Sequence, residues 1–438
     1  MLHADQPPTI RPLRLTRGHV LAGAAFMVMP VAVFAPIQLT GLLVVTSIAC
    51  LITARSRQAL FPPLARRIAW PLAALCIWAA ISTAWAVDIR LAVIETLRFT
   101  GTALAGTIIL GAASMSGPRD RANVCRALLL GTAVGYALLA FEIATDGLIL
   151  RAVSSLINGG KRPFIFSIAY NRATSVIAML SWPVLLLVLR RRAWFAAIVV
   201  FVIGLAFVTE LQKHASTIAL LTGAAAFALV WIAGRGVVTA IAAAIGIAIL
   251  VSPLLPLTVL EPVRVARTYP QVASSEFHRL LIWKFVAERI AERPMLGWGM
   301  NSSRAIPGVK TLVPTDIPER RSPTGTSAGG DMVEQLPLHP HNAPLQLWLE
   351  LGAVGAILGG AFVVGALLIG RRRSTDRLDA AIVTAATVSA VAISAMSFSI
   401  WQSWWLSIMW LTAGFLVTAR TAPLAAAAAA EPALSARQ

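Results

Sequence analysis

The chain has 438 residues, 58% of them hydrophobic and 13% charged, whereas a soluble domain is about half apolar and about a quarter charged. Its apolar residues gather in blocks of about 17–25, the length at which a helix spans a bilayer core, which excludes the two or three soluble domains that length alone allows. The net charge of +18 sits mostly in short clusters between those blocks, the pattern of loops retained in the cytoplasm, and not on a basic face built for nucleic acid.

Residues 1–35 have the basic start and apolar run of a signal peptide. Pro36 follows the only plausible cleavage position, after Ala35, so the run reads as an uncleaved first helix. Twelve spans are predicted in chain order: 20–36, 38–54, 69–86, 99–115, 124–145, 169–189, 193–209, 215–233, 236–257, 343–369, 379–397 and 399–418. With the N-terminus inside, five basic clusters fall in the cytoplasm: Arg11/Arg14/Arg17, Arg55/Arg57/Arg66/Arg67, Arg119/Arg121/Arg126, Arg190/Arg191/Arg192 and Arg371/Arg372/Arg373/Arg377. The loops 87–98 and 146–168, the turns near 37, 210–214 and 398, and the long segment 258–342 then lie outside. The expected fold is thus an all-α integral membrane protein of about twelve transmembrane helices with both termini cytoplasmic. Residues 1–257 hold nine spans, 258–342 form one long external loop, 343–418 hold three spans, and 419–438 are a low-complexity tail. Cys50, Cys76 and Cys125 are spaced for neither a zinc site nor a disulfide framework and read as small buried hydrophobes.

Within the long segment, 275–293 reads as an amphipathic helix with Phe277, Leu280, Leu281, Val286 and Ile290 on its apolar side. Pro294 and the turn Gly297-Trp298-Gly299 follow, and 301–338 reads as a loop. His339 and His341 stand where that loop enters a helix, with Asn342 beside them and Glu350 about two turns further on. A neutral imidazole there can take a proton from a hydroxyl, and an ionisable residue at the depth of Glu350 is costly and rarely idle. The plainer role for a histidine at such a place is a helix cap.

Three more groups are predicted at the same side. Asn171-Arg172 heads the sixth span, where a snorkelling anchor is the plainer role. Lys213-His214 heads the eighth, with a Glu210–Lys213 ion pair as the alternative. Arg279 lies on the loop helix near Trp283, where a solvated face is the bland reading; its planar fork suits phosphate oxygens. Arg162, Arg264, Arg267 and Arg304 add charge without special context. Cations held on the side where the charge rule disfavours them point to a site for an anionic, lipid-linked substrate. No clustered carboxylates for a metal and no Gly-rich nucleotide loop are evident there, so neither cofactor nor metal is expected.

These residues resemble the O-antigen ligase family, membrane glycosyltransferases that share a Wzy-type C-terminal motif. His341-Asn342, the nine residues Ala343–Leu351 and Gly352-Ala353-Val354-Gly355 fit its His-(Asn/Ser/Gln), nine residues, Gly-x-x-(Gly/Thr/Tyr) pattern. The resemblance extends to Arg279, Trp283, Pro294 and Gly297-x-Gly299, and to Asn171-Arg172 with Trp182-Pro183. Many relatives carry a Ser-Arg pair where Lys213-His214 stands here. The resemblance implies a multi-pass protein of the Gram-negative inner membrane with its site facing the periplasm. It implies transfer of a glycan from undecaprenyl diphosphate to lipid A–core oligosaccharide, inverting and metal-independent, in lipopolysaccharide biosynthesis. In that reaction His341 is the expected base, with His339 or Glu350 orienting it. Arg172, Arg279 and Lys213, with His214 beside it, are expected on the diphosphate, and Asn342, Asn171 and Trp283 in support. An O-antigen polymerase, a protein O-oligosaccharyltransferase of the same superfamily, and a lipid or glycan transporter are the competing expectations.

Overall fold

The computed structural model of the chain describes residues 16–54, 63–158, 170–211, 214–269, 274–314 and 332–420. In chain order the helices are α1 (Arg17–Phe34), α2 (Leu39–Ile52), α3 (Pro63–Ser82), α4 (Ile89–Ser114), α5 (Pro118–Ala144) and α6 (Leu148–Asn158). Then come α7 (Asn171–Arg190), α8 (Trp194–Glu210), α9 (His214–Ala233), α10 (Val237–Val251), α11 (Pro262–Thr268) and α12 (Ser274–Glu292). The last three are α13 (Ala343–Arg373), α14 (Arg377–Met396) and α15 (Ser403–Arg420). The only strands among the described residues are β1 (Leu312–Pro314) and β2 (Met332–Glu334), an antiparallel pair with Leu312 opposite Glu334.

The protein is an all-α integral membrane protein. A helix occupies each of the twelve predicted segments. Among the described residues nine are long and apolar enough to cross a bilayer, and the apolar helices Pro36–Ile52 and Trp194–Glu210 are shorter. α15 has the length, but its tryptophans, serines and Arg420 make it less apolar.

Two predicted loops are helical. Residues 89–98, expected as loop, form the first turns of α4, with the Asp88 side chain capping the Leu91 N–H at 2.9 Å. Arg90 and Arg98 project from the exposed side of this continuing helix. The predicted loop 146–168 contains α6. The Glu142 carboxylate accepts the N–H groups of Ile149 (2.9 Å) and Leu150 (3.1 Å) and the Tyr170 hydroxyl (2.5 Å). A carboxylate at a helix start favours that helix, because the first N–H groups there lack partners. Arg162 and Lys213 lie outside the described residues, as does most of the tail.

α7 is the most thoroughly buried of the nine long spans among the described residues. Small residues let its neighbours approach closely, as lipid-embedded helices require. Trp182 donates through Nε1 to Ser389 at 3.0 Å, and the Ser389 hydroxyl donates to the Ala219 carbonyl at 2.7 Å, joining α7, α9 and α14. A Cβ on Gly223 would sit 2.3 Å from the Ser389 hydroxyl. α1 packs along α5 in the same way, where a Cβ on Gly131 would meet the Phe26 carbonyl oxygen at 2.1 Å. Cys50 and Cys125 are buried and Cys76 half-buried, all with free thiols.

The 258–342 segment builds its own small core on the head of α13. Ile282, Phe285, Val286 and Ile290 of α12 pack with Trp298, Ile306, Val309 and Leu336 against Leu345 and Leu349. The predicted loop helix is thus found at 274–292, with Phe277, Leu280, Val286 and Ile290 buried as expected. A short helical turn, Ser302–Arg304, and the β1–β2 hairpin order part of the stretch expected as loop. His278 bonds the Glu334 carbonyl at 3.0 Å, tying hairpin to helix.

Candidate active site

α13 is broken. Gly352 has φ 66° and ψ −165°, outside helical space and in a region essentially reserved for glycine. A break leaves carbonyls without their helical donors, which in lipid is costly unless protein supplies others. The Gly297-Trp298-Gly299 turn and α3 supply them. The Trp298 N–H donates to the Leu349 carbonyl (2.9 Å), the Gly299 N–H to that of Glu350 (2.8 Å), and Trp78 Nε1 to that of Leu351 (2.9 Å). The Ala353 N–H turns to the Pro294 carbonyl at 2.8 Å. The turn lies so close that a Cβ on Gly297 would come within 2.6 Å of the Glu350 backbone, and one on Gly352 within 2.2 Å of the Met295 carbonyl oxygen. Residues 343–351 therefore form a separate short helix seated on the loop.

The two histidines stand at the head of that short helix. The Asn342 side chain caps it, accepting the Leu345 N–H at 3.0 Å, and Pro344 occupies its first turn, where a missing N–H costs nothing. His341 adopts a left-handed φ of 53°, which folds its ring back on His339, with ring centroids 4.2 Å apart. His339 Nδ1 accepts the His341 backbone N–H at 3.2 Å. His341 Nδ1 lies 2.6 Å from the Ser397 carbonyl oxygen, in the turn between α14 and α15. A carbonyl only accepts, so Nδ1 carries the proton and the lone pair of the neutral ring is on Nε2. Burial pushes His341 below the usual imidazole range, helped by the charges of Arg279 and His278 and opposed by the Ser397 bond. Burial, with His341 and Arg304 near, pushes His339 down to about 3. Both rings are neutral at pH 7.

Arginines lie at the same end as the pair. Trp283 Nε1 donates to the Pro340 carbonyl at 2.8 Å, fixing α12 against the histidine segment. Arg279, one turn earlier on α12, is exposed and its charge reaches His341. The Arg172 guanidinium lies 5.8 Å from the centre of the Trp404 ring, and Trp404 packs edge-on against Phe398, the residue after Ser397, at 4.7 Å. That aromatic chain places the head of α7 at the histidine end of the bundle. The head of α9 is joined to it, because Ser216 bonds Thr174 and Ser175, each at 3.2 Å.

The family model described as O-antigen ligase matches residues 199–360, which include the long segment, both histidines and the Gly352 break. Over that stretch the chain is similar to the O-antigen ligase family. A candidate polysaccharide ligase of Rickettsia conorii is 27% identical over 284 residues, 64% of this chain and 62% of that protein. One from Rickettsia bellii is 26% identical over 243 residues, 55% and 54% of the two chains. One from Rickettsia prowazekii is 38% identical over 103 residues, 23% and 22%. The matched chain spans less than two thirds of these relatives' own lengths. No solved structure matches.

Set in this ligase-family frame, the predicted residues separate into three sets. His339, His341, Asn342 and Trp283 meet directly or through one residue, and Arg279 and Arg172 flank them. His214 is exposed at the head of α9, two residues before Ser216, and no hydrogen bond joins it to the imidazoles among the described residues. Asn171 is exposed beside Arg172. Glu350 belongs elsewhere: its fully buried carboxylate accepts from Asn301 N–H (2.8 Å), Trp401 Nε1 (2.6 Å), Gln346 Nε2 (3.0 Å) and the Ser303 hydroxyl. The group that orients His341 is the Ser397 carbonyl, not Glu350. Sequence reasoning missed Gln346, Ser303, Trp401, Trp404 and Ser397. Only Gln346 carried a signal, standing four residues before Glu350 on one helix face; a backbone carbonyl leaves no trace in residue identity.

Proposed function

We propose that the protein is a membrane glycosyltransferase that joins a glycan from undecaprenyl diphosphate to lipid A–core oligosaccharide at the periplasmic face of a Gram-negative inner membrane. The observation that carries this reading is His341, neutral, with its proton held on Nδ1 by the Ser397 carbonyl and Arg279 and Arg172 nearby. His341 Nε2 takes the proton of the acceptor hydroxyl as that oxygen attacks the anomeric carbon. The bond from that carbon to the diphosphate oxygen breaks, and the leaving group departs with the electron pair. Arg172 and Arg279 stabilise the charge that develops on it. A single displacement inverts the anomeric centre. His214 at the head of α9 adds a further polar group for the diphosphate. Twelve crossings with both ends cytoplasmic place the histidine end outside, where a lipid-linked glycan is presented. The relatives' descriptions as polysaccharide ligases support ligation over protein glycosylation or transport.

The test is incubation of the purified protein in lipid nanodiscs with undecaprenyl-diphosphate glycan and lipid A–core, with product mass determined. One glycan joined to the core is expected, and His341→Ala should lower the rate by about 100-fold or more. Glycan lengthened without core identifies a polymerase instead. Unchanged ligation by His341→Ala removes the base assignment.

A further inference from the structure

Gln346 is 1% exposed, and two of its three side-chain hydrogen bonds go to the turn whose Ser397 carbonyl meets His341. Its Nε2 donates to Glu350 Oε1 and to the Ser399 hydroxyl, each at 3.0 Å, and its Oε1 accepts the Ile400 N–H at 3.1 Å. The Ser399 hydroxyl in turn accepts the Trp401 N–H at 3.3 Å. Gln346 therefore grips the turn 397–401 from the short helix that His341 heads, five residues away. The carbonyl that meets His341 Nδ1 opens that same turn.

Glu350 decides which way the amide faces. The Asn301 N–H and the Trp401 indole can only donate, so both occupy Oε2 as an acceptor, and Oε1 takes the Ser303 hydroxyl and Gln346. A carboxylate served by four donors is an acceptor throughout. It turns Gln346 Nε2 toward itself and leaves Oε1 toward Ile400. The reversed amide would set oxygen against oxygen at Glu350 and donor against donor at Ile400, each a buried unmade bond.

We infer that Gln346 is a positioning residue of the transfer reaction. It locks the 397–401 turn so that the Ser397 carbonyl keeps the proton on His341 Nδ1 and the lone pair on Nε2, and Glu350 acts through it by fixing its amide. The inference rests on His341 as the base. It explains why a glutamine and a glutamate one turn apart are buried beneath the histidine segment.

The experiment compares wild type, Gln346→Ala, Ser399→Ala and His341→Ala in nanodiscs, with kcat, donor KM and pH profile measured on the same ligation assay. Gln346→Ala should lower kcat by about 100-fold, as a misplaced reacting group does, with donor KM nearly unchanged. The acid limb of its profile should move to lower pH, because the carbonyl bond that favours the charged ring is gone. Ser399→Ala, which removes one bond of the clamp and decides the matter if Gln346→Ala does not fold, should shift both in the same direction by less. A fall in rate with an unmoved acid limb means only lost folded protein and overturns the inference. So does a normal Gln346→Ala beside an inactive His341→Ala, with the base assignment intact. A normal His341→Ala overturns both.

Discussion

His341 is one of four non-glycine residues with positive φ among the described residues. Histidine tolerates that region better than most side chains, and here it is what brings the two tilted imidazoles together and points Nδ1 at Ser397. Because burial holds its pKa below that of a free imidazole, the ring stays deprotonated through neutrality, as the proposed base must. Ligation should be flat with pH above about 6.5 and fall only as pH drops through the lowered value; a pH–rate profile checks this, and an acid limb above that point would contradict it. His339 has a structural consequence of the same sign. Its folded pKa of about 3 lies below that of the unfolded chain, so the stability it contributes is present above about 6.5 and drains away as pH falls toward the folded value. His339→Gln should therefore flatten the acid side of a thermal-unfolding series.

At the scale of elements, the broken helix is the main device. A continuous α13 would carry His341 wherever the span happened to lean; a break at Gly352 lets 343–351 seat on the loop core independently. Gly352→Ala brings a Cβ to the Met295 carbonyl and a strained φ/ψ worth about 1–3 kcal/mol before the clash is counted. The expected result is a lower unfolding midpoint together with lost ligation. α6 poses a different case. Ile149, Val153 and Leu156 are exposed along one side, with Arg151 and Ser155 on the other, the pattern of a helix lying in a bilayer interface. Spin labels at Val153 and Leu156 in nanodiscs should be reached by oxygen and shielded from a water-soluble nickel reagent, and a label at Ser155 should show the reverse.

Across the whole molecule, the end opposite the histidines is tied by charge. Arg190 at the end of α7 pairs with Asp376 (3.2 Å) and Asp379 at the start of α14, and Arg420 at the end of α15 lies 3.3 Å from Asp379. Asp379 also accepts from Thr375, through its N–H at 3.2 Å and its hydroxyl at 2.8 Å. Arg371 and Arg235 exchange side-chain and carbonyl bonds beside it, at 2.8 and 2.9 Å. Asp379 is fully covered while Asp376 reaches solvent, so removing it strands two arginines in a partly wet site. Asp379→Ala should cost about 3 kcal/mol, the low end for a broken buried pair, seen as reduced thermal stability without a shifted pH–rate profile.

The amino-acid order by itself determined that this is a membrane helix bundle and where its twelve apolar helices fall, and it singled out His341, Asn342, Arg172 and Arg279 as site candidates. Those features are written in hydrophobic blocks, charge placement and a fixed spacing, all local along the chain. It did not reveal that 89–98 and 148–158 are helical, because exposed charges and a short amphipathic run look like loop when read without neighbours. The partners of Glu350 were also invisible, since Asn301, Ser303, Gln346 and Trp401 come from three separated stretches. Only the tertiary structure decided what orients His341: a main-chain carbonyl at Ser397, brought to it by the packing of the α14–α15 turn on the broken helix. A hydrogen bond to a backbone atom depends on where the chain passes and not on which residue passes there.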